Sequence, residues 1–345
     1  MKVAYHIPSL YTIYAGRTIY NGYKNAFEDL GDQFFTWSAE TSLEDIRKFA
    51  PDILMTSFNS YSLKFLDMEL FWELRKKGTK VFVNVPFWNS PISRLRVNET
   101  PSLSTNKEHI KHIKDGYGDV FYNTCEQGDA RMEGFEKTTG YKHHTLPLAI
   151  DKTVIFPEYC AKFKADISFL GTNLPDKRPY FNEMVFPLAK KYDLKLYGQD
   201  WTALDRILGL IQKGGQYFNV PLLRSLQKPK LQLEDERRIY SSSVISINVH
   251  EEYQRQFGGD CNERTFKIPA CDGFEITDDV DVIRKYFKDE EEIIIAKDKA
   301  DWFEKIDYFI KNPEKRIPII AAGKKRVLAE HTYHNRVKYL LSLSI

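Results

Sequence analysis

NERTFKIPACDGFEITD, Asn262–Asp278, sets a short helix, a close turn and a strand in immediate succession. Asn262 suits a helix N-cap, since its side-chain oxygen can accept from the first unpaired backbone N–H groups. From Arg264 to Ala270 the apolar residues Phe266 and Ile268 alternate with polar ones, and Pro269 limits the helix. Cys271-Asp272-Gly273 supplies the turn, with Gly273 tolerating positive φ, and Phe274-Glu275-Ile276-Thr277 reads as a strand. A helix that starts just beyond an upstream strand presents unpaired N–H groups and the positive end of its dipole, which together attract phosphate. Arg264 in the first turn adds charge to that anion site. An ordinary surface helix would also carry a Glu263–Lys267 pair at i,i+4 spacing, worth roughly a few tenths of a kcal/mol.

Working outward, Val244–Val249 is a buried strand closing at His250, and the loop Glu251–Cys261 leads into Asn262. Upstream, Asp166–Leu170 is an apolar strand ended by Gly171; a helix over Arg178–Lys191 and a strand over Leu194–Tyr197, ending at Gly198, follow. Glu234–Tyr240 is a charged helix, while Ala203–Lys230 fits either a helical insertion or a loop. Beyond Asp278 come a strand Ile293–Ala296, an amphipathic helix Asp298–Lys311 and one last helix Ile317–Leu341.

The first half repeats the pattern. Strands fall at Lys2–His6, Gln33–Trp37, Asp52–Ser57, Lys80–Val85, Gly118–Asn123 and His144–Pro147, with helices over Arg17–Leu30, Leu43–Phe49, Leu63–Lys77 and Gln127–Thr138. Such alternation predicts an α/β protein with parallel sheets covered on both faces and ligands at the carboxyl ends of the strands. Tyr11–Gly16, Ser57–Ser60 and Pro86–Ser90 then share one rim. Gly16 stands alone, so a G-x-G-x-x-G dinucleotide loop is absent. His143 and His144 are adjacent and point to opposite faces of a strand, which argues against a shared metal.

A chain of 345 residues accommodates two domains, and 42% hydrophobic with 28% charged residues is ordinary for a globular protein. A formal net charge of +2 argues for neither nucleic acid nor a membrane by itself. Four cysteines without metal-ligand spacing predict reduced thiols, and no apolar run reaches a membrane-spanning length of roughly 18 residues. The expectation is a soluble, cytoplasmic protein.

Asn262–Asp278, together with Asp166-Ile-Ser-Phe-Leu-Gly171 and His331-Thr-Tyr-His-Asn-Arg336, resembles the C-terminal half of the CgeB-like (spore maturation protein) family of group-1 glycosyltransferases. The resemblance implies the GT-B fold, two Rossmann-like parallel-sheet domains facing a central cleft. Leu148–Asp151 followed by Phe156-Pro157 is similar to the crossover between them, giving an acceptor domain over 1–150 and a donor domain over 151–345, with the last helix packing back on the first domain.

The implied activity is transfer of a sugar from a UDP- or GDP-sugar to a glycan, small molecule or protein, with retention, and with neither a metal nor a tightly bound cofactor. On this resemblance Arg264, Lys177, Arg178 and His250 are the candidate catalytic residues. Gly171, Asn173, Tyr197, Gly198, Asn262, Glu263, Thr265 and Lys267 are the candidate donor contacts, and Tyr11, Tyr14 and Gly16 face the acceptor. The family's usual glutamate for the ribose diol is replaced by Lys267, which has no acceptor atom; Glu263, one turn earlier, is the available substitute. That departure leaves a non-catalytic sugar or nucleotide binder as the alternative, with transfer to modified DNA as a further one.

Overall fold

The computed structural model describes residues 1–10, 14–89, 103–226 and 231–343. Two units are distinguished: Met1–Pro147 with Tyr333–Ile345, and Leu148–Thr332. The chain therefore leaves the second unit after Thr332.

Unit one holds a sheet of six parallel strands: β1 (Lys2–His6), β2 (Gln33–Trp37), β3 (Ile53–Ser57), β4 (Lys80–Asn84), β5 (Val120–Asn123) and β6 (His143–Thr145), in the order β2-β1-β3-β4-β5-β6. Ala4 sits opposite both Phe35 and Leu54, so the apolar middle of β1 is walled by its neighbours. Capping side chains start the connecting helices. Asn59 accepts from Ser62 N–H and Asp67 from Leu70 N–H, which divides the single helix expected over Leu63–Lys77 into Ser60–Phe65 and Met68–Lys76.

Unit two holds five parallel strands: β7 (Ala165–Leu170), β8 (Leu194–Tyr197), β9 (Ser243–Asn248), β10 (Glu275–Asp278) and β11 (Ile294–Ala296), in the order β11-β10-β9-β7-β8. Period-two alternation serves two cores at once. Ile294 and Ala296 join Ile167, Phe169, Ile247 and Ile276 on one face, whereas Ile293 and Ile295 join Phe266, Ile268 and Ile239 on the other. Each fully buried Ile or Phe among them contributes about 1.5–3 kcal/mol.

Several elements depart from the sequence expectation for identifiable reasons. Arg178–Lys191 is not one α-helix: a π segment Phe181–Val185 and a 3-10 segment Phe186–Lys190 follow a single turn, because Pro187 has no N–H to continue the ladder. Ala203–Tyr217 is a helix, which resolves the open reading of the insertion. The last helix is two, Pro313–Glu330 and Tyr333–Ser342. At the break, Ile150 N–H donates to the His331 carbonyl at 2.9 Å and the His331 ring stacks 4.7 Å from Phe266. In the turn after Arg264–Ala270 it is Asp272 that takes positive φ (56°), not Gly273. Gly273 is required for closeness instead, since a Cβ there would lie 2.8 Å from Ile268.

Within unit one, helix Tyr14–Asp29 packs on helix Tyr333–Ser342 through Gly22, where a Cβ would stand 2.1 Å from the Tyr333 ring. Gly22→Ala should lower stability by about 1–3 kcal/mol despite alanine's better helix propensity. Gly214→Ala, in a helix with open space around the new methyl, should instead be neutral or stabilising by up to about 1 kcal/mol. Thermal melts of the two variants check this, and equal shifts would contradict the close packing.

Candidate functional site

In unit two the strand order reverses between β7 and β9, the place where doubly wound sheets bind ligands. Arg264 spans that point. Its Nη1 donates to the Leu170 carbonyl at the end of β7 (3.3 Å), and its Nη2 to the Val249 carbonyl just past β9 (3.0 Å). Gly171 makes this possible, because a Cβ there would come within 3.1 Å of Arg264 Nη1. Gly198 presses on the same turn with φ at +116°, and a Cβ would sit 2.3 Å from the Gly171 carbonyl oxygen. The two glycines found in the sequence thus face each other.

Asn248, fully buried at the end of β9, orients Arg264. Its Oδ1 accepts from Arg264 Nε (3.0 Å) and Asn262 Nδ2 (2.9 Å); its Nδ2 donates to Glu275 Oε1 (2.8 Å) and Thr265 Oγ1 (3.1 Å). Asn262 also accepts from Arg264 N–H at 2.9 Å, which is the capping contact read from the sequence, although Glu263 occupies the cap position. Burial pushes the Glu275 carboxyl up to about 8, so it is held protonated at neutral pH.

Lys177 is 3% exposed in a 3-10 turn, and its Nζ donates to the same Val249 carbonyl at 3.1 Å. Burial first and Arg264 second bring its pKa down to about 7. Neither Lys177 nor Arg264 forms an ion pair among the described residues: the partners of Arg264 are Asn248, two carbonyls and the face of Phe169, 5.3 Å away. Arg178, by contrast, turns to the Asn173 carbonyl at 3.3 Å, and the Asn173 side-chain oxygen has no hydrogen-bond partner.

His250 is fully buried and both ring nitrogens are engaged. Nδ1 donates to Asp278 (2.6 Å) and Nε2 accepts from Thr265 Oγ1 (3.2 Å). Burial keeps the imidazole neutral. Burial would also raise Asp278, but His250 and Arg255 outweigh it and hold the carboxylate at about 2. His250 and Thr265 therefore brace the strand ends; neither has an atom free for a donor.

Lys267 has a different role from the donor contact expected of it. Its ammonium is buried 2.7 Å from Glu263 and 3.2 Å from Glu236, a residue of helix Leu233–Ser242. Arg264 and Lys267 do not converge on one partner set. Tyr197 packs edge-on to Phe163, and Trp201 donates to the Gly171 and Tyr197 carbonyls, bracing the glycine turn. In unit one, Tyr11 lies outside the described residues, and Tyr14 and Gly16 lie in the first turn of a helix where a loop was expected. A depression of about 480 Å³ there, lined by Trp72, Arg75, Thr79, Asp115 and Asp119, opens at the amino ends of β4 and β5, away from the ligand-bearing edge.

The sequence reading did not single out Asn248, Glu275, Asp278 or Arg255. The available signal was polarity in apolar strands, at Asn248 after Ile245 and Ile247, and at Glu275 and Asp278 around Ile276. Among the described residues no cluster of three His, Cys, Asp or Glu could hold a metal, and no helix is long and apolar enough to cross a membrane.

Comparisons with known proteins now bear on this geometry. Residues 178–342 match a family model described as glycosyl transferase-like. A search of curated proteins finds no match to the sequence. Among solved structures, an alpha-glucosyltransferase in complex with UDP is similar over 100% of both chains (TM-score 0.67, 12% identity). So is an alpha-glucosyltransferase in complex with UDP-glucose and DNA containing an abasic site (TM-score 0.65, 11% identity, 100% and 99% covered). A sucrose-phosphate synthase from Thermosynechococcus elongatus matches with TM-score 0.60 and 13% identity over 100% of this chain and 98% of its own. Two parallel-sheet units with these likenesses are the GT-B fold.

Glu275→Gln replaces a protonated carboxyl by its neutral isostere. Because the folded pKa, about 8, lies above the usual 4.5, Glu275 contributes stability that is full below about pH 4.5 and lost as pH rises through 8. The variant should lose that component of the pH dependence, seen as a wild-type melting temperature that falls toward pH 8 relative to the variant. A second variant, Lys267→Glu, should destabilise by more than about 3 kcal/mol, since it gathers three carboxylates in one buried site. A donor-facing Lys267 would leave stability nearly unchanged.

Proposed function

We propose that the chain is a glycosyltransferase of the CgeB-like group, holding a nucleoside-diphosphate sugar at the carboxyl edge of the second unit's sheet. The observation that carries this reading is the pair Lys177 and Arg264, two basic side chains meeting on one carbonyl at the switch point, neither of them in an ion pair among the described residues. Like charges gathered in a dehydrated place call for an anion, and a diphosphate supplies it. The glycosyl transferase-like match over 178–342 covers Arg264 and begins one residue after Lys177, and UDP is bound in a protein of the same fold.

The chemistry follows from the charges. An acceptor hydroxyl bonds to the anomeric carbon, the bond from that carbon to the diphosphate oxygen breaks with its electron pair leaving on the diphosphate, and the hydroxyl proton passes to that departing diphosphate. Negative charge grows on the departing group, so Arg264 and Lys177 bind the transition state more strongly than the ground state. Asn248 keeps Arg264 aimed without moving, which is preorganisation. Gly171, Gly198 and Asn173, whose oxygen lacks a partner, belong to the donor contacts in this reading, and unit one with Tyr11, Tyr14 and Gly16 to the acceptor. A hexose donor, retention and a glycan, small-molecule or protein acceptor complete it. A second reading, a donor-binding protein without turnover, rests on the position where the resembled family has its ribose-binding glutamate, here Lys267, which has no acceptor atom and is itself paired with Glu263 and Glu236.

Release of nucleoside diphosphate from a panel of UDP- and GDP-sugars, with and without acceptors, decides between the two readings. Arg264→Ala should reduce turnover by about 10²–10³-fold. Lys177→Met should reduce it comparably while holding or raising the melting temperature, since it removes a buried charge. Donor affinity should also fall as pH rises above about 7, where Lys177 loses its proton. Bound diphosphate raises the Lys177 pKa, so binding takes up a proton in that window, and Lys177→Arg should flatten the profile. Unaltered donor affinity and turnover in both the alanine and methionine variants would remove the cation pair from the mechanism.

A further inference from the structure

Helix Ala203–Tyr217 carries its apolar side outward. Leu204, Ile207, Leu210 and Ile211 are 66%, 54%, 67% and 40% exposed, whereas Asp205, Gly209, Gly215 and Gln216 are buried. On a 3.6-residue repeat the four apolar residues share one face, and Phe218 (70% exposed) and Leu222 (84%) extend it beyond the helix end. Scattered exposed leucines are ordinary, but a contiguous face of this kind marks an interaction surface.

The helix cannot roll to hide it. Asp205 accepts from Asp200 N–H at 2.7 Å, Gln212 donates to the Arg224 carbonyl at 2.9 Å, and Gly215 admits Leu223 so closely that a Cβ would lie 2.4 Å from it. Polar bonds and a glycine contact therefore fix the polar side inward.

Charge indicates what covers the face. From Ala203 to Lys230 the sequence carries Arg206, Lys213, Arg224, Lys228 and Lys230 against a single acid, Asp205, in a chain of formal net charge +2; Lys228 and Lys230 lie outside the described residues. Asp205 and Arg224 are both buried, whereas Lys213 is exposed and Arg206 half-buried, so the accessible charge that the described residues of this segment place beside the apolar face is positive. A second copy docking through the same patch would set these cations against each other. We propose that this face docks on an anionic lipid bilayer, with the helix lying in the plane of the interface. A flat surface offering apolar chains below negative headgroups matches both features, and the helix is not long and apolar enough to cross.

The test uses the full chain and sedimentation with vesicles of phosphatidylcholine alone or mixed with phosphatidylglycerol. Binding to the mixed vesicles should be about tenfold or more tighter than to the neutral ones and should weaken with added salt. Ile207→Glu and Leu222→Glu, each at an exposed site and so with an unchanged melting temperature, should each cut that binding about tenfold or more. Absence of binding, equal binding to both vesicles, or unaffected variants would overturn the proposal. So would self-association in sedimentation velocity that Ile207→Glu abolishes while vesicles bind nothing, which would assign the face to a second copy. Donor binding is measured in the same samples, so failure here leaves the transferase reading untouched.

Discussion

Asn248 has two donor hydrogens and an oxygen with two lone pairs, and in a fully buried place all of them must be met. They are met by Glu275, Thr265, Arg264 and Asn262, which come from β10 and from the start of the helix Arg264–Ala270 that precedes it. The sense of the carboxamide is thereby forced, since only its oxygen can face Arg264 and Asn262. From there the chain of donors runs on through Thr265 to His250 and Asp278. One satisfied side chain thus ties the second unit's strand ends to the helix that carries Arg264, and the aim of the guanidinium depends on it. A partly satisfied network would be costlier than an apolar one, which is why each member is specific.

Two buried lysines in this unit illustrate opposite solutions to the same desolvation cost. Lys267 gathers two carboxylates, and their attraction outweighs burial, so its pKa is raised. Lys177 finds a carbonyl and a neighbouring arginine, and its pKa falls to about 7. The first arrangement is closed and serves packing. Among the described residues the second is met by a neutral carbonyl alone.

The alternation of apolar strands and half-buried helices was legible, because period two and period 3.6 are local properties of the sequence. So were the glycines: Gly171 and Gly198 each end a strand, and their positions sufficed to suspect a tight turn. What could not be read was the partner of a charge. The i,i+4 neighbour Glu263 of Lys267 is visible in the helix, but Glu236 belongs to a helix far upstream, and it is the pair together that closes the site. Asn248 was passed over for the same reason, since its role lies in contacts across three segments. Helix boundaries failed where one residue decides them, as Pro187 does in 178–191 and as His331 does by stacking on Phe266.

Lys177 and Arg264 share the Val249 carbonyl at 3.1 and 3.0 Å, so the two cations stand no more than about 6 Å apart. At an effective dielectric of roughly 20, that repulsion is on the order of 3 kcal/mol, a sizeable fraction of the stability of an ordinary domain. The fold tolerates it because Asn248, the carbonyls and the face of Phe169 meet the hydrogen-bonding needs of Arg264 without neutralising it. Glu251 and Asp278 offset part of that repulsion at Lys177, yet burial and Arg264 still bring its pKa down to about 7. The cations are therefore fixed by neutral partners, which supply direction without supplying charge.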